Sequence, residues 1–417
     1  MAEASIWRNP VFVRVFSAAT VSVFGSLVTR TALPFAAILV LGAGPLEIAA
    51  IRACEILGGL LVGLVAGAWV DRLRRRPVMI AADLGQAVVL GSVPVAALTG
   101  WLSIPHLIVV AFLTSILTTF HNVADVAYLP TVVEPDQLVP ANSALTASGS
   151  VAEFSAFSIG GFLVQVFTAP IAIAVDAASF VASALLLGSI RRPEKDPPAV
   201  VERRPLLSEI RDGLRPIVAS PILRSLAAAS SAAHLMWGAF GSLYLVFAAD
   251  ELGLGPATIG LIAAAGGISS FVGALLAERA SLRLGVGWAI LVGLAGFTLG
   301  NALVPLAPAG AVAVAITLLV AQQLIADGAG TVYEVNVLGR VNSAIEFLTH
   351  LWLLVGTVVG GLIGEVLDLR AGLAFGVAGG VVAMAFIVLS PLRNLRTGAL
   401  APRRGPLLPP GDLPLTE

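Results

Sequence analysis

Several ionisable side chains lie inside long apolar segments of this chain, where chemistry within a membrane is possible, and three of them are candidates for carrying protons. Glu153 is near the middle of one segment, and Asp176 and His234 lie within two others. An ion in the bilayer core costs about 2.5–3.5 kcal/mol on insertion scales, so such residues indicate a pathway, a proton relay or a structural pair. A midplane carboxylate can load and release protons. Glu153 is therefore our leading candidate for a proton carrier, followed by Asp176 and His234.

Several pairings of these charges are possible. At a rise of about 1.5 Å per residue, Arg30, Arg52, Glu55 and Asp176 lie roughly 9–14 Å below the same face of the bilayer. Arg30 can pair with Glu153, and Asp176 can be a structural partner of Arg52 or Arg30. Arg52 and Glu55 are one helical turn apart and can neutralise each other. Two cations among three carboxylates would leave one carboxylate to carry a proton.

Other polar and aromatic residues suit the lining of a cavity. Ser26 and Arg30 share a helical face, although polar packing between helices explains the serine equally well. Trp237 could stack on an aromatic or amphipathic ligand. Gln322 and Gln323 add two amides in a later apolar segment. His350, four residues after Glu346, is expected to make a local pair first and a gating contact second.

The elements that carry these residues are predicted to be transmembrane helices. The chain is 58% hydrophobic and 12% charged, with a mean hydropathy of +0.96, and crossing hydrocarbon takes roughly 20 apolar residues. We predict an all-α polytopic membrane protein in the lipid bilayer, with 12 transmembrane helices in two six-helix bundles. The predicted spans are residues 16–41, 46–70, 77–99, 106–128, 141–167, 169–190, 222–249, 256–278, 285–306, 309–331, 341–366 and 370–391.

Composition also argues against other classes of function. The single cysteine, Cys54, excludes internal disulfides and cysteine-based metal sites. Lys195 is the only lysine, and no phosphate-binding loop surrounds it, so we expect no ATP binding. No nucleophile–base constellation is visible. We therefore expect a protein that is not an enzyme and uses no cofactor, metal or nucleic acid.

The arginines fix the orientation of the predicted helices. They collect on one side, whereas Arg370 alone falls in a loop on the other, and arginine-rich loops stay in the cytoplasm. Both termini are therefore predicted to be cytoplasmic. The arginines on this side are Arg72 to Arg76, Arg191 to Arg215, Arg279, Arg283, Arg340, Arg393 and Arg396.

The two halves of the chain are related by an internal repeat. Residues 142–144 and 160–161 recur as residues 342–344 and 360–361, at a shift of 200. Asp71-Arg72 has a counterpart in Glu278-Arg279 at a shift of 207, so seven residues are missing between these landmarks in the second half. Parallel six-helix repeats with a ligand site between them near midplane are a known transporter architecture.

This repeat divides the chain into four parts. We predict an N-terminal six-helix bundle at residues 1–190 and a C-terminal bundle at residues 221–396. Residues 191–220, rich in proline and charge, are predicted to be a cytoplasmic connecting loop. Residues 397–417 are rich in Pro and Gly without an apolar period, which predicts a disordered cytoplasmic tail.

The turn at residues 67–77 resembles the loop signature of the major facilitator superfamily, with Gly, Asp-Arg and a run of arginines at matching spacing. Further motifs resemble the branch that contains the enterobactin exporter and macrolide-type efflux proteins. This resemblance implies a proton-coupled exporter of amphipathic small molecules in the plasma membrane, working by alternating access. The motifs are Tyr128-Leu129-Pro130, Pro140-Ala141-Asn142-Ser143, Asp176-Ala177, Ser179-Phe180, Gly339-Arg340-Val341-Asn342 and Ser390-Pro391-Leu392-Arg393.

The resemblance also implies an inner gate. Gly67 belongs to the signature, Asp71 would cap the facing helix of the other half, and Arg72 and Arg75 would form a latch with Asp125. A carboxylate is stabilised at a helix N-terminus, and such contacts break when the halves rock apart. The alternative is that these arginines only set the topology.

Two departures from the family pattern keep other functions open. Ala156-Phe157 stand where the antiporter signature has Gly-Pro, which leaves an uptake permease as an alternative. The short link at residues 336–339 leaves a transport-inactive membrane sensor or assembly partner as a further alternative.

Overall fold

The computed structural model describes residues 6–191, 194, 215, 217–338 and 343–391. The connecting segment is therefore only partly covered. The predicted tail at 397–417 and the short link at 339–342 lie outside the described residues, as does most of the predicted loop at 191–220.

The described chain contains twelve long helices and no strand, in agreement with the predicted fold class. Nine of them are long and apolar enough to cross a membrane, or ten if the two parts of the fifth, which meet at 44°, count as one span. The ninth has 16 residues. The helices are α1 (Pro10–Phe35), α2 (Pro45–Val70), α3 (Arg75–Thr99), α4 (Ile104–Val132), α5 (Leu138–Phe167), α6 (Ala169–Gly188), α7 (Pro221–Val246), α8 (Pro256–Leu284), α9 (Val286–Asn301), α10 (Val312–Leu338), α11 (Ser343–Val366) and α12 (Leu369–Val388).

Helix starts follow from local sequence. The Asn9 side chain accepts hydrogen bonds from the backbone N–H groups of Val11 and Phe12 at 3.0 and 3.3 Å, ahead of Pro10 at the first turn of α1. Ser220 and Pro221 begin α7 in the same way. A polar cap followed by proline satisfies free N–H groups and presets the helical φ angle.

The helices pack as two bundles with the same internal contacts. In the first, α1 packs on α5 and α6, α2 on α4, and α3 on α4 and α6. In the second, α7 packs on α11 and α12, α8 on α10, and α9 on α10 and α12. Both α1 and α7 also continue into a π-helical turn, at Ala36–Val40 and Phe247–Glu251. The packing thus repeats the relation between the halves that the sequence predicts.

The bundles meet through α2–α11 and α5–α8. Their close contacts lie at the distal end, which we define as the end opposite residues 10 and 388. There, the Ser158 hydroxyl donates to the carbonyl of Gly260 at 3.1 Å, and Gly361 lies against Ala49. Toward the terminal end, which carries residues 10 and 388, Gly67 of α2 has open space around it. These close approaches between the bundles lie at the distal end, and we call the space between the bundles on the terminal side of them the gap.

Arg370 has a structural role at the distal end. Its guanidinium donates to the Glu251 carboxylate at 2.7 Å and to the carbonyls of Pro305 and Ala307, each at 2.6 Å. One side chain thus joins the start of α12, the end of α7 and the α9–α10 connection. These contacts account for an arginine on the side where the sequence has few.

The α7–α11 seam leads to a first prediction. A Cβ at Gly238 would meet the backbone N of Thr357 at 2.7 Å and the Leu353 carbonyl, whereas Gly241, on the same helix, has nothing within 4 Å. Overpacking costs about 1–3 kcal/mol. We expect Gly238→Val to lower the melting temperature of the purified protein clearly, with Gly241→Val changing it far less. Equal effects of the two variants would contradict this tight seam.

Candidate functional site

Glu153 faces the gap from α5 and is paired with Arg30 of α1. The Arg30 guanidinium lies 3.3 Å from the Glu153 carboxylate, whose side chain is 65% exposed. Arg30 also stacks 5.0 Å from the ring centre of Phe157. The leading proton candidate therefore has the cationic partner that the sequence offered as its alternative. The pair is accessible from the gap, because both side chains are partly exposed.

Glu334 of α10 faces the same gap from the second bundle and was missed in the sequence analysis. It is exposed and lies close enough to Glu153 for the two carboxylates to interact electrostatically. The signal was present, since Asp327 and Glu334 are two carboxylates in one apolar segment. The two bundles thus each contribute an acid to a shared space.

A small cavity lies beside Glu334 in the wall formed by the second bundle. Trp237 is 49% exposed, and its ring centre lies 5.8 Å from that of Phe297. The cavity combines aromatic rings with one acidic group and one imidazole. It is lined by Ala233, His234, Trp237, Phe297, Gly330, Tyr333 and Glu334.

His234 and His350 approach each other across α7 and α11, with ring centres 6.5 Å apart. Nδ1 of His234 lies 2.8 Å from the carbonyl oxygen of Ser230, so that nitrogen carries a proton and Nε2 can accept one. Nδ1 of His350 lies 2.9 Å from the carbonyl oxygen of Glu346. The local contact predicted for His350 and Glu346 is therefore made through the backbone rather than through the carboxylate.

Asp176 does not pair with an arginine. It is fully buried, accepts a hydrogen bond from the Ser179 hydroxyl at 3.0 Å and packs against Gly25 of α1. Among the described residues, no cation lies within ion-pair distance of it. The predicted pairing with Arg52 or Arg30 is wrong, because Arg30 binds Glu153 and Arg52 binds Glu55.

The other predicted lining residues have mixed positions. Arg52 and Glu55 are 2.8 Å apart, the local pair that their spacing allowed. The Ser26 hydroxyl donates to the Ser22 carbonyl at 2.9 Å, within its own helix. Gln322 is buried and donates to Asn301 of α9 and to Gln323, each at 3.2 Å. Gln322 therefore packs inside the second bundle instead of lining the gap.

The arginine turn is arranged differently from the predicted latch. Glu194 accepts hydrogen bonds from the backbone N–H groups of Arg75 and Arg76 at 2.7 and 3.1 Å, and the Arg75 guanidinium lies 3.8 Å from it. Glu194 thus caps α3, where a carboxylate favours the helix dipole. Arg75 is held by Glu194 and not by Asp125, so the predicted Arg75–Asp125 contact is absent from this conformation.

The remaining members of the predicted latch lie near this turn. Asp71 follows α2, and its backbone N–H donates to the Gly67 carbonyl at 3.0 Å. Arg72 is exposed. Asp71 is predicted to cap the start of α11. The residues that lead into this helix, 339–342, lie outside the described residues.

A buried acid–base cluster lies between α3 and α4, near the terminal end. Nδ1 of His121 is 2.8 Å from Oδ1 of Asp83, and both side chains are buried. Asp125, one turn further along α4, is within electrostatic range of both. Of these three residues, only Asp125 was predicted from the sequence, although Asp83 and His121 also interrupt apolar segments. This cluster places the predicted latch acid inside the first bundle.

Two six-helix repeats around a gap, with acidic groups from both sides, form the architecture of the major facilitator fold. Three solved structures share this fold at 14–19% identity. They are the nucleoside transporter NupG (TM-score 0.71, covering 91% of this chain and 98% of that one), a bacterial homologue of the iron transporter ferroportin in an inward-facing state (0.70, 93% and 99%) and a bacterial homologue of the lysosomal transporter Spinster in an inward-facing conformation (0.69, 93% and 98%). The chain belongs to the major facilitator family described as transmembrane secretion effector, which it matches over residues 2–405.

Relatives of this chain are described as MFS-type transporters. The chain is 29% identical to the MFS-type transporter y4rN of Sinorhizobium fredii over 224 residues, 53% of this chain and 55% of the relative. It is 32% identical to the MFS-type transporter Rv0037c of Mycobacterium tuberculosis over 159 residues, 37% of this chain and 36% of the relative. The chain thus matches about half or less of the length of these relatives.

Proposed function

We propose that this protein exports an amphipathic small molecule in exchange for protons by alternating access. The observation that carries this proposal is the shared gap, into which Glu153 and Glu334 project from opposite repeats. The description of the family as secretion effectors supports the outward direction. Contact at the distal end with separation toward the terminal end is one of the two states that rocking bundles require.

The arginine distribution supports the orientation. If the arginine-rich terminal end lies on the cytoplasmic side of the cell membrane, the gap opens to the cytoplasm, where an exporter would load its substrate. The domain pattern of two bundles, a cytoplasmic connector and a cytoplasmic tail belongs to the same proposal.

Glu153 is the first candidate for the coupling residue. A proton on Glu153 cancels its attraction to Arg30, so the charge state of this pair differs between loaded and unloaded proteins. Both side chains are partly exposed, so solvent screens the attraction to about 0.2–1 kcal/mol. Asp176 is a weaker candidate, since it is buried within the first bundle. His234 borders the cavity.

The arginine turn fits a gate in the opposite state. We propose that Asp71, Arg72, Arg75 and Asp125 meet when the terminal ends close, as the family resemblance implies. Arg75 would then exchange Glu194 for Asp125.

A vesicle assay tests the coupling. The assay measures efflux of a panel of dyes and antibiotics from vesicles. We expect Glu153→Gln to lower the rate of efflux driven by a proton gradient at least tenfold, while passive exchange of the same compounds continues. Glu134→Gln, in the exposed turn before α5, is the matched control and should leave efflux intact. Coupled efflux that survives Glu153→Gln would remove Glu153 from this role and direct attention to Asp176 or His234.

The same assay separates the other functions. Accumulation inside cells that express the protein would indicate an uptake permease. No movement of any compound in either direction would favour the transport-inactive sensor or assembly partner.

A further inference from the structure

The turns that lead into α2 and α8 at the distal end have nearly the same sequence and backbone. Residues 41–45 are Leu-Gly-Ala-Gly-Pro, and residues 252–256 are Leu-Gly-Leu-Gly-Pro. The first glycine has a left-handed backbone in both, with a φ angle of 66° at Gly42 and 65° at Gly253. The second glycine immediately precedes the helix in both. The two halves therefore carry one distal turn in two copies, which we call the glycine turns.

A polar side chain of the opposite bundle lies on each glycine turn. Oε2 of Glu365, near the end of α11, lies 3.1 Å from the position that a Cβ atom at Gly44 would take. The same oxygen accepts a hydrogen bond from the backbone N–H of Leu46 at 3.5 Å. Oε1 of Gln165, near the end of α5, lies 2.8 Å from the corresponding position at Gly255. Gln165 and Glu365 are separated by 200 residues, which is the shift of the internal repeat.

The neighbouring contacts between the bundles have the same symmetry. Gly161 of α5 lies against Pro256 of α8, and Gly361 of α11 lies against Pro45 of α2. The two polar side chains come four residues later on α5 and α11, which is about one helical turn closer to the distal surface. Both are exposed, so each contact can form and break without a polar group being buried.

The second glycine of each turn is explained by this contact. The φ angle is −81° at Gly44 and −70° at Gly255, which any residue can adopt. The backbone therefore does not require glycine at either position. A side chain there would instead occupy the space of the Glu365 or Gln165 oxygen.

We propose that Gln165 and Glu365 form a distal gate, which holds the distal ends together by contact with the glycine turns. Each contact joins one bundle to the other, so both break when the bundles rock apart. The proposal rests on the alternating access proposed above, and it depends neither on the direction of transport nor on the coupling ion. Gln165 and Glu365 are positioning residues, since both lie on the distal side of the close approaches and outside the gap.

The two contacts differ in charge. The Glu47 carboxylate accepts a hydrogen bond from the Gly44 N–H at 3.0 Å, so the start of α2 receives one carboxylate from each bundle. Carboxylates are stabilised at a helix N-terminus. At the start of α8, Thr258 stands at the position equivalent to Glu47, and Gln165 contributes an uncharged amide. Replacing Glu365 with Gln would therefore make the two contacts alike.

Spin labels test the gate without a substrate or a gradient. Cysteines at Leu98 and Leu306, which are exposed at the distal ends of the two bundles, can be labelled in a Cys54→Ser background. Pulsed electron resonance then gives the distance between the labels. We expect Gln165→Ala and Glu365→Ala each to shift the ratio of closed to open distal ends roughly 2–12-fold towards open, the effect of losing one polar contact. The double variant should multiply the two shifts.

Matched variants show whether the effect is specific. Asp250→Ala removes an exposed carboxylate at the same end and should leave the distance unchanged. Gly44→Ala and Gly255→Ala should lengthen the distance by displacing the side-chain oxygens, whereas Gly241→Ala, with nothing within 4 Å, should not. Glu365→Gln keeps an acceptor oxygen and should keep the short distance.

The gate and the export function can fail separately. Unchanged distances in folded Gln165→Ala and Glu365→Ala proteins, judged by gel filtration, would overturn the gate, and a shift in only one of them would overturn the equivalence of the two contacts. Distal opening in a protein that moves no compound would keep the gate and remove export. Export by a protein whose distal distance neither variant changes would do the reverse.

Discussion

Replacing His121 with Leu is expected to destabilise the first bundle by about 3–5 kcal/mol, because Asp83 would remain buried without its partner. The carboxylate of Asp83 has no exposed surface, so water cannot replace the imidazole that lies 2.8 Å away. Thermal unfolding of the purified protein measures the loss. His106→Leu is the matched control on the same helix. His106 bonds the Ser92 hydroxyl at 2.9 Å rather than a buried carboxylate, and we expect a much smaller effect.

A double-mutant cycle separates loss of the pair from simple loss of packing. Asp83→Ala combined with His121→Leu removes both polar groups, so the double variant should be more stable than the sum of the single effects predicts. Additive effects would show that Asp83 and His121 do not interact energetically.

Gly161→Val is expected to open the distal contact between the bundles. A Cβ at Gly161 would meet the Pro256 carbonyl oxygen and would lie 3.2 Å from the Gly260 Cα atom, and backbone atoms cannot move aside as a side-chain tip can. A clash of about 1–3 kcal/mol shifts a two-state equilibrium roughly 5–150-fold. Efflux should fall accordingly, since the protein would leave the state in which the distal ends meet.

Spin labels report the change directly. Cysteines at Thr99 and Ala309, exposed at the distal ends of the two bundles, can be labelled in a Cys54→Ser background. Pulsed electron resonance should give a longer distance in Gly161→Val than in the parent. Gly149→Val is the control on the same helix, because Gly149 has no neighbour within 4 Å. An unchanged distance in Gly161→Val would mean that the contact does not hold the bundles together.

Helix number, helix order and the repeat could be predicted because each depends on local sequence. Apolar length determines what can cross a bilayer, and proline at the first turn marks the start of α1, α2, α7 and α8. The Arg52–Glu55 pair could also be predicted, since a separation of three residues on one helix fixes the relative position of the two side chains. These features need no knowledge of which helices are neighbours.

The partners across helices could not be predicted in the same way. Glu334 and Glu153 are brought together by the approach of two bundles, and Asp83 meets His121 only because α3 and α4 turn particular faces to each other. Arg30 had more than one carboxylate at a suitable depth, and depth alone did not choose between Glu153 and Asp176. These contacts depend on how each helix is rotated about its own axis, and this rotation cannot be read from a single sequence.

The paired π-helical turns bear on the history of the chain. In both halves a 26-residue α-helix that begins with proline runs into a five-residue π turn. π-helical turns are rare and occur mostly as single turns within α-helices. The same rare turn at the same place in both halves is the pattern that duplication of one six-helix repeat would leave.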